Sequence, residues 1–321
     1  MPIRSTAKSE TYYDFFANSG TDAVSQPPMP PAWFGARGLF AGGTPGPSNV
    51  IDYITIASTG NAIDFGNLYA AHSGPAALSS GENGRAVFAG GSGNVNDMGY
   101  VTIGSVGNTS DFGNLTVGRY APSGASSSLR GLFAGGATPS ESNVIDYITI
   151  ASTGNATDYG DLTVARYSFS GCAGETRAVF GGGLTPSISD TIDYVTIATT
   201  GNAQDFGNLD ESRNNLAASS GPSSGARGVF GGGTNPSNTD KIDYITIAST
   251  GNAQDFGNLT SARAGVASAA NATRATFAGG DISSTVSNVI DYITIASTGN
   301  ATDFGDLTVA RQYFSGCSGD T

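Results

Sequence analysis

One histidine, two cysteines and two recurring sets of aspartates are the groups through which this 321-residue chain could do acid–base, nucleophilic or metal chemistry. A Ser-His-Asp triad needs a histidine as its base. The single one, His72, lies in Tyr69-Ala70-Ala71-His72, at the place where equivalent segments carry Arg119, Arg166, Arg213, Arg263 and Arg311. It reads as a replacement at a packing or hydrogen-bonding position. Cys172 and Cys317 form no cluster with histidines, so zinc or copper ligation is not expected. One acidic set is Asp52, Asp146, Asp193, Asp243 and Asp291, with Gly99 at the sixth place; the other is Asp64, Asp111, Asp158, Asp205, Asp255 and Asp303. Paired carboxylates can cleave glycosides or hold calcium. An active site is singular, however, and these acids recur through the whole chain. Their expected work is local: accepting backbone hydrogen bonds at turns or pairing with the recurrent arginines. Gly181-Gly182-Gly183 lacks the Lys-Ser/Thr and the helix of a phosphate loop. The expectation is a chain with no catalytic, cofactor-binding or metal residues, hence not an enzyme.

Composition excludes further classes. Net charge is −12, and lysine occurs only at Lys8 and Lys241. A nucleic-acid binder needs a cationic stripe to neutralise phosphates, so none is expected to bind; the negative charge reads as a solubility feature. No apolar run approaches the ~20 residues of a membrane-spanning helix, and Met1-Pro2-Ile3-Arg4-Ser5 lacks the apolar core of a secretory leader. Membrane insertion is not expected. Glycine is abundant, at 47 residues, yet β-branched and aromatic residues recur at fixed offsets. That pattern predicts an ordered all-β chain.

The elements that must position these residues are copies of one motif. An arginine followed by a small residue, an aliphatic or threonine, phenylalanine and glycines recurs at Arg37, Arg85, Arg130, Arg177, Arg227 and Arg274. A tyrosine recurs at Tyr53, Tyr100, Tyr147, Tyr194, Tyr244 and Tyr292, spaced by 47, 47, 47, 50 and 48 residues. Each copy holds four strand candidates, typified by 177–180, 145–151, 157–162 and 166–171. The second is apolar on both alternating faces, which suits a strand covered on both sides. Gly154-Asn155 reads as a two-residue type II′ hairpin turn. Four antiparallel strands per 40–50 residues is the arithmetic of a propeller blade. The predicted fold is an all-β six-bladed β-propeller of four-stranded antiparallel blades over residues 37–321, preceded by an extended segment, 1–36.

Gly182-Gly183, Tyr194, Phe206 and Arg213 resemble the kelch motif, which implies that the strand after the arginine is innermost and that of Asp158 outermost. In that frame, counting strands decides how the ring closes: the chain enters at the second strand of a blade, near Arg37, and ends on an innermost-type strand, Arg311–Cys317. That last strand is expected to complete the blade begun by residues 37–68. Cys172 and Cys317 then sit three blades apart, facing each other across the axis. A disulfide needs Cα atoms within ~7 Å, so both thiols are expected to stay free.

Kelch blades usually carry tryptophan at the aromatic position, where this chain has Phe or Tyr. The resemblance extends to copper oxidases of that fold, whose ligands have no counterpart here. Four runs, 54–62, 148–156, 245–253 and 293–301, read Ile-Thr-Ile-Ala-Ser-Thr-Gly-Asn-Ala each time. With Phe-Gly-Gly-Gly and Asp-Phe-Gly-Asp/Asn-Leu, they resemble the kelch-like repeats of virion structural proteins from marine tailed bacteriophages. That resemblance implies a place in the phage particle, as a tail, tail-fibre or capsid-decoration component.

Function is expected where the copies differ. Length varies in two places: in the linker between the innermost strand and the next, as in Ser79-Ser80-Gly81-Glu82 and Ser220-Gly221-Pro222-Ser223, and in the loop after the glycines, which marks Thr44, Pro45, Pro47, Thr138, Pro139, Thr185, Pro186, Asn235, Pro236 and Ser283 as candidate partner-binding residues. A rigid scaffold with variable loops suits binding; neutral drift is the competing reading. Outside the repeats, Tyr12, Tyr13, Phe15, Phe16 and Trp33 flank a proline-rich stretch, Pro27–Pro31. They read as an anchor to other virion proteins, or as a tail lying on the ring's surface. The partners expected are virion proteins through residues 1–36 and a host-surface glycan or protein, with self-association left open. A cellular or secreted kelch-type interaction domain is the alternative reading.

Overall fold

A computed structural model describes residues 36–80, 84–221 and 227–319. The anchor candidates Tyr12, Tyr13, Phe15, Phe16 and Trp33 lie outside the described residues, as do parts of two of the linkers between inner and second strands. Six four-stranded antiparallel sheets make a β-propeller, as the repeat count predicts. Blade 1 pairs Ser315–Gly319, Arg37–Ala41, Ser48–Thr55 and Ile63–His72, from axis to perimeter. The others follow in order from inner strands Ala76–Ser79, Ser123–Ser126, Ser170–Ala173, Ala217–Ser220 and Ala267–Ala270.

The blade exists because its strands are apolar on both faces. In Val144–Thr149, Ile145 joins an apolar cluster with blade 4, and Ile148 joins one with blade 2. Six clusters result, one at each junction between blades. The core is therefore a ring of six interfaces rather than one centre. Each third strand meets its outer strand through a β-bulge, as between Ile145/Asp146 and the Gly160–Asp158 step. The extra residue, Tyr159 here and Phe elsewhere, turns inward and meets the recurrent tyrosine edge-on, with centroids 5.9–6.2 Å apart.

Closure runs through the two ends of the ring. Arg37–Ala41 pairs with Ser315–Gly319 over five residues, Arg37 opposite Gly319 and Ala41 opposite Ser315. The inner strands are stitched sideways by serines: Ser126 Oγ donates to the Ser79 carbonyl at 2.7 Å, Ser220 Oγ to Ala173 at 2.7 Å, and Ser79 Oγ to Ser318 at 2.5 Å.

Three details depart from the sequence reading. The innermost strand begins about four residues later than expected, at Ser170 rather than Arg166 and at Ser315 rather than Arg311. Ser168 and Tyr313 adopt φ of 55° and 52°, which no strand continues through. Gly154-Asn155 does not close a two-residue hairpin. A seven-residue loop, 150–156, joins the strands, because its polar groups bond to the neighbouring blade instead of closing a turn. The cysteines are free and stand three blades apart on opposite sides of the axial channel, as expected, but their thiols do not point across it. Each thiol turns sideways into an apolar cluster, Cys172 between blades 4 and 5 and Cys317 between blades 1 and 2. Burial pushes both thiols up from 9.0 to about 12.

Deleting residues 311–321 removes the fourth strand of blade 1 and opens a seam on both of its faces. The expected result is loss of more than about 5 kcal/mol, beyond the range of ordinary single substitutions. A thermal melt that matches the full chain would contradict closure through this strand.

Candidate functional site

The recurrent charged residues are joints between blades. Each crossover arginine has its backbone in one blade and its side chain in the next. Arg166 N–H donates to the Ser142 carbonyl of blade 3, while its guanidinium bonds Thr191 and Phe180 carbonyls and Asp193 of blade 4. Five such pairs, Arg119–Asp146, Arg166–Asp193, Arg213–Asp243, Arg263–Asp291 and Arg311–Asp52, are wholly buried at 2.5–3.0 Å. Desolvation pulls every one of these guanidinium groups below its ordinary pKa, and the facing carboxylate opposes it. In four pairs a threonine completes the carboxylate: Thr116, Thr163, Thr260 and Thr308 donate Oγ–H to one oxygen at 2.5–2.7 Å and N–H to the other at 3.0–3.2 Å.

The sixth junction, between blades 1 and 2, lacks both charges. His72 stands for the arginine, Gly99 for the aspartate, and Tyr69 for the threonine. A Cβ on Gly99 would lie 3.0 Å from the Tyr69 ring, so the tyrosine fills the carboxylate's place. Losing the pair as a unit follows from physics, since one partner alone would be a buried unpaired charge. His72 makes no hydrogen bond through its ring nitrogens; its role is packing, against Gly91 and 6.5 Å from the Tyr69 ring.

The repeat-start arginines work at the opposite face. Each lies over its own blade's tyrosine at 4.4–4.7 Å. Each also donates to a carbonyl of the next blade, as Arg37 to Ile103 and Arg274 to Ala57. The Gly-Asn-Ala/Thr loop closes the perimeter. At all six junctions its glycine N–H bonds the outer strand of the preceding blade at 2.7–2.9 Å. Its asparagine Oδ1 accepts from that strand at 2.9–3.1 Å. This fixes the glycine of Asp-Phe-Gly: a Cβ on Gly160 would stand 2.7 Å from the Gly201 carbonyl of the adjoining loop. The second aspartate set is exposed on the outer strands and takes part in no ion pair among the described residues. Among those residues, no group of three or more His, Cys, Asp or Glu side chains is arranged to hold a metal ion.

Copies differ in length at both ends of the blades: the linkers between inner and second strands leave one end, and the loops after the glycine pairs leave the other. The loops after the glycine pairs and the crossovers between blades leave the same ends of the strands, and they touch: Tyr120 bridges Ala137, Tyr167 bridges Leu184, and Gln312 bridges Thr44. The glycine pair seats both crossovers. A Cβ on Gly182 (φ 75°) would stand 2.5 Å from the Arg213 carbonyl, and one on Gly183 (φ 109°) 2.9 Å from that of Tyr167. All ten candidate loop residues lie on this rim. Pro139, Pro186, Pro236 and Ser283 are exposed tips, and in blades 4–6 small two-stranded ribbons carry them.

Inside the rim lies a ring that sequence reading missed. Gly74, Ala121, Ser168, Asn215, Gly265 and Tyr313 all adopt φ of 48–68°. The N–H of each donates to the carbonyl of the preceding one, Gly74 to Tyr313, at 2.7–3.3 Å, making a closed circle of six hydrogen bonds around the axis. The residues directly before them are Ser73, Tyr120, Tyr167, Asn214, Ala264 and Gln312. These two positions differ in almost every copy, beside an arginine kept in five of six. The signal was present as that variation, but strand assignment hid it by placing both positions inside an inner strand. No protein-family model matches the chain, and no curated protein matches it.

Two outcomes test the joints. Arg166→Met should cost about 3–5 kcal/mol in denaturant unfolding by leaving Asp193 buried and unpaired. The triple change Thr163→Tyr, Arg166→His, Asp193→Gly, copying the blade 1–2 junction, should cost less than that single change. The second concerns Asp210, which replaces threonine and leaves Asp243 Oδ1 without a partner. Burial raises the Asp243 carboxyl above its ordinary value, with Arg213 opposing. Its ionised form is thus the poorly held one, and stability contributed there falls as pH rises. Asp210→Thr should raise stability by about 1–2 kcal/mol, with the gain growing as Asp243 ionises.

Proposed function

We propose that this chain is a non-enzymatic structural protein of a phage particle, a tail, tail-fibre or particle-surface module that serves assembly or host binding through the crossover face. One observation carries the reading. The recurrent arginines, the first aspartate set and the recurrent tyrosines are engaged in holding blade to blade, while the variable loops after the glycine pairs meet the variable crossovers on one face. A catalytic site requires a singular group of reactive side chains held for one task. Here the crossover arginines and the first aspartate set are engaged in five buried joints, the second aspartate set is spread one to a blade on the exposed perimeter, and the one histidine packs between two blades. Variable loops on a rigid ring are suited to recognition.

The phage assignment rests on the sequence resemblance, carried by the four identical Ile-Thr-Ile-Ala-Ser-Thr-Gly-Asn-Ala runs and by Phe-Gly-Gly-Gly and Asp-Phe-Gly. The structure gives those motifs physical work. The first supplies the perimeter loop, the second seats the crossovers, and the third makes room for the neighbouring loop. A repeat kept for such joints belongs to a ring whose use is rigidity. The kelch-like character of the blades belongs to the same reading, as do other virion proteins as partners.

The test is mass spectrometry of purified particles with an antibody to this chain. The chain is expected in stoichiometric amount in intact particles, and antibody against the crossover face is expected to lower adsorption to host cells. Its absence from particles would overturn the assignment.

A further inference from the structure

We propose that the mouth of the axial channel on the crossover face is a binding site for a neutral saccharide, the exposed end of a glycan chain. The inference rests on the reading of the ring as a binding module, and it names the site and the chemistry of its ligand.

Tyr120 and Tyr313 line the mouth, and Tyr167 lies beside Tyr120. All three are half-buried. Glycines make the room: a Cβ on Gly74 would lie 2.7 Å from the Tyr120 ring, and one on Gly265 would lie 3.2 Å from that of Tyr313. The Tyr120 hydroxyl is raised by burial first, then by Tyr313 and Tyr167 beside it; Tyr313 is raised by burial and by Asp281. These hydroxyls therefore stay neutral, able both to donate and to accept. Asn215 brings an amide to the same lining, and in the residue before it Asn214 Oδ1 is buried with no hydrogen-bond partner. The depression they surround is shallow, about 80 Å³. It admits one edge of a sugar ring rather than a whole buried ligand.

Flat aromatic faces beside amide and hydroxyl groups match the two surfaces of a pyranose, its C–H face and its ring of hydroxyls. Charge selects against the alternatives. The crossover arginines below the mouth are each bonded to a carboxylate, and Lys241 on the rim is bonded to Asp210 and Glu211. No free cation among the described residues of this face is left for a phosphate, sulfate or uronate, and net charge is −12. Nucleotides and acidic glycans are therefore disfavoured. The ring is also unsymmetric: the Tyr120 and Tyr313 rings lie over Gly74 and Gly265, in the copies whose residues are smallest.

The full chain is applied to an array of neutral oligosaccharides built from glucose, galactose, mannose and N-acetylglucosamine, with acidic glycans alongside. Affinities are then read by titration for Tyr120→Ala, Tyr167→Ala, the corresponding Phe variants and Asp64→Asn at the perimeter. The expected result is retention of at least one neutral glycan, weakened roughly tenfold or more in the Ala variants, less in the Phe variants, and unchanged in Asp64→Asn. The Phe variants keep the rings and so remain informative if an Ala variant unfolds. Binding confined to acidic glycans, no neutral glycan retained, or retention indifferent to both tyrosines would overturn the site. Capture of a host or particle protein with no glycan retained would overturn this inference while leaving the binding-module reading standing. Absence of the chain from particles would overturn the phage reading without touching the site.

Discussion

A blade of four strands with apolar residues on both faces cannot be stable alone, because one face or the other must remain in water. Everything else in this molecule follows from that constraint. Each blade needs a neighbour on either side, each neighbour needs the same, and only a closed circle leaves none wanting. The first and last described strands pair for this reason, and the six apolar clusters fall at the junctions rather than within the blades.

The joints show how a repeated sequence makes repeated interfaces. Each junction combines an apolar cluster, a perimeter loop and a repeat-start arginine bonded across to the next blade. Five of the six add a buried Arg–Asp pair. A buried ion pair is weak evidence of stability by itself, since desolvation offsets much of its attraction. Its value here is registration, because the arginine is anchored by its backbone in one blade and by its side chain in the next. The junction that lacks the pair retains the other elements, which explains how His72 and Gly99 are tolerated.

Much of the fold was legible in the sequence: the blade count from spacing, the strand order and shared blade from the frame that the motif resemblance implies, and the paired role of one aspartate set from its recurrence beside the arginines. The errors share one physical source. A chain segment was assumed to satisfy its hydrogen bonds within its own blade, whereas Gly154, Asn155 and the residues after Arg166 satisfy theirs in a neighbour. Interblade partners leave no local periodicity to read. For the same reason the left-handed residues at the mouth were invisible, since Ala121, Ser168 and Tyr313 are not types that announce positive φ. Of the candidate site, the rim was legible from loop length, and the mouth only from differences at two positions between copies.

The closed circle of six hydrogen bonds has an electrical consequence. A row of peptide groups aligned along a helix sums to a macrodipole that attracts ions to its ends. Here twelve peptide groups, two from each ring residue, stand around the axis in near six-fold symmetry, and their in-plane components cancel instead. The backbone at the entrance to the channel thus draws a charged group toward no one blade. Any preference for one side of the entrance must come from the side chains set around it, and those are the ones that vary from blade to blade.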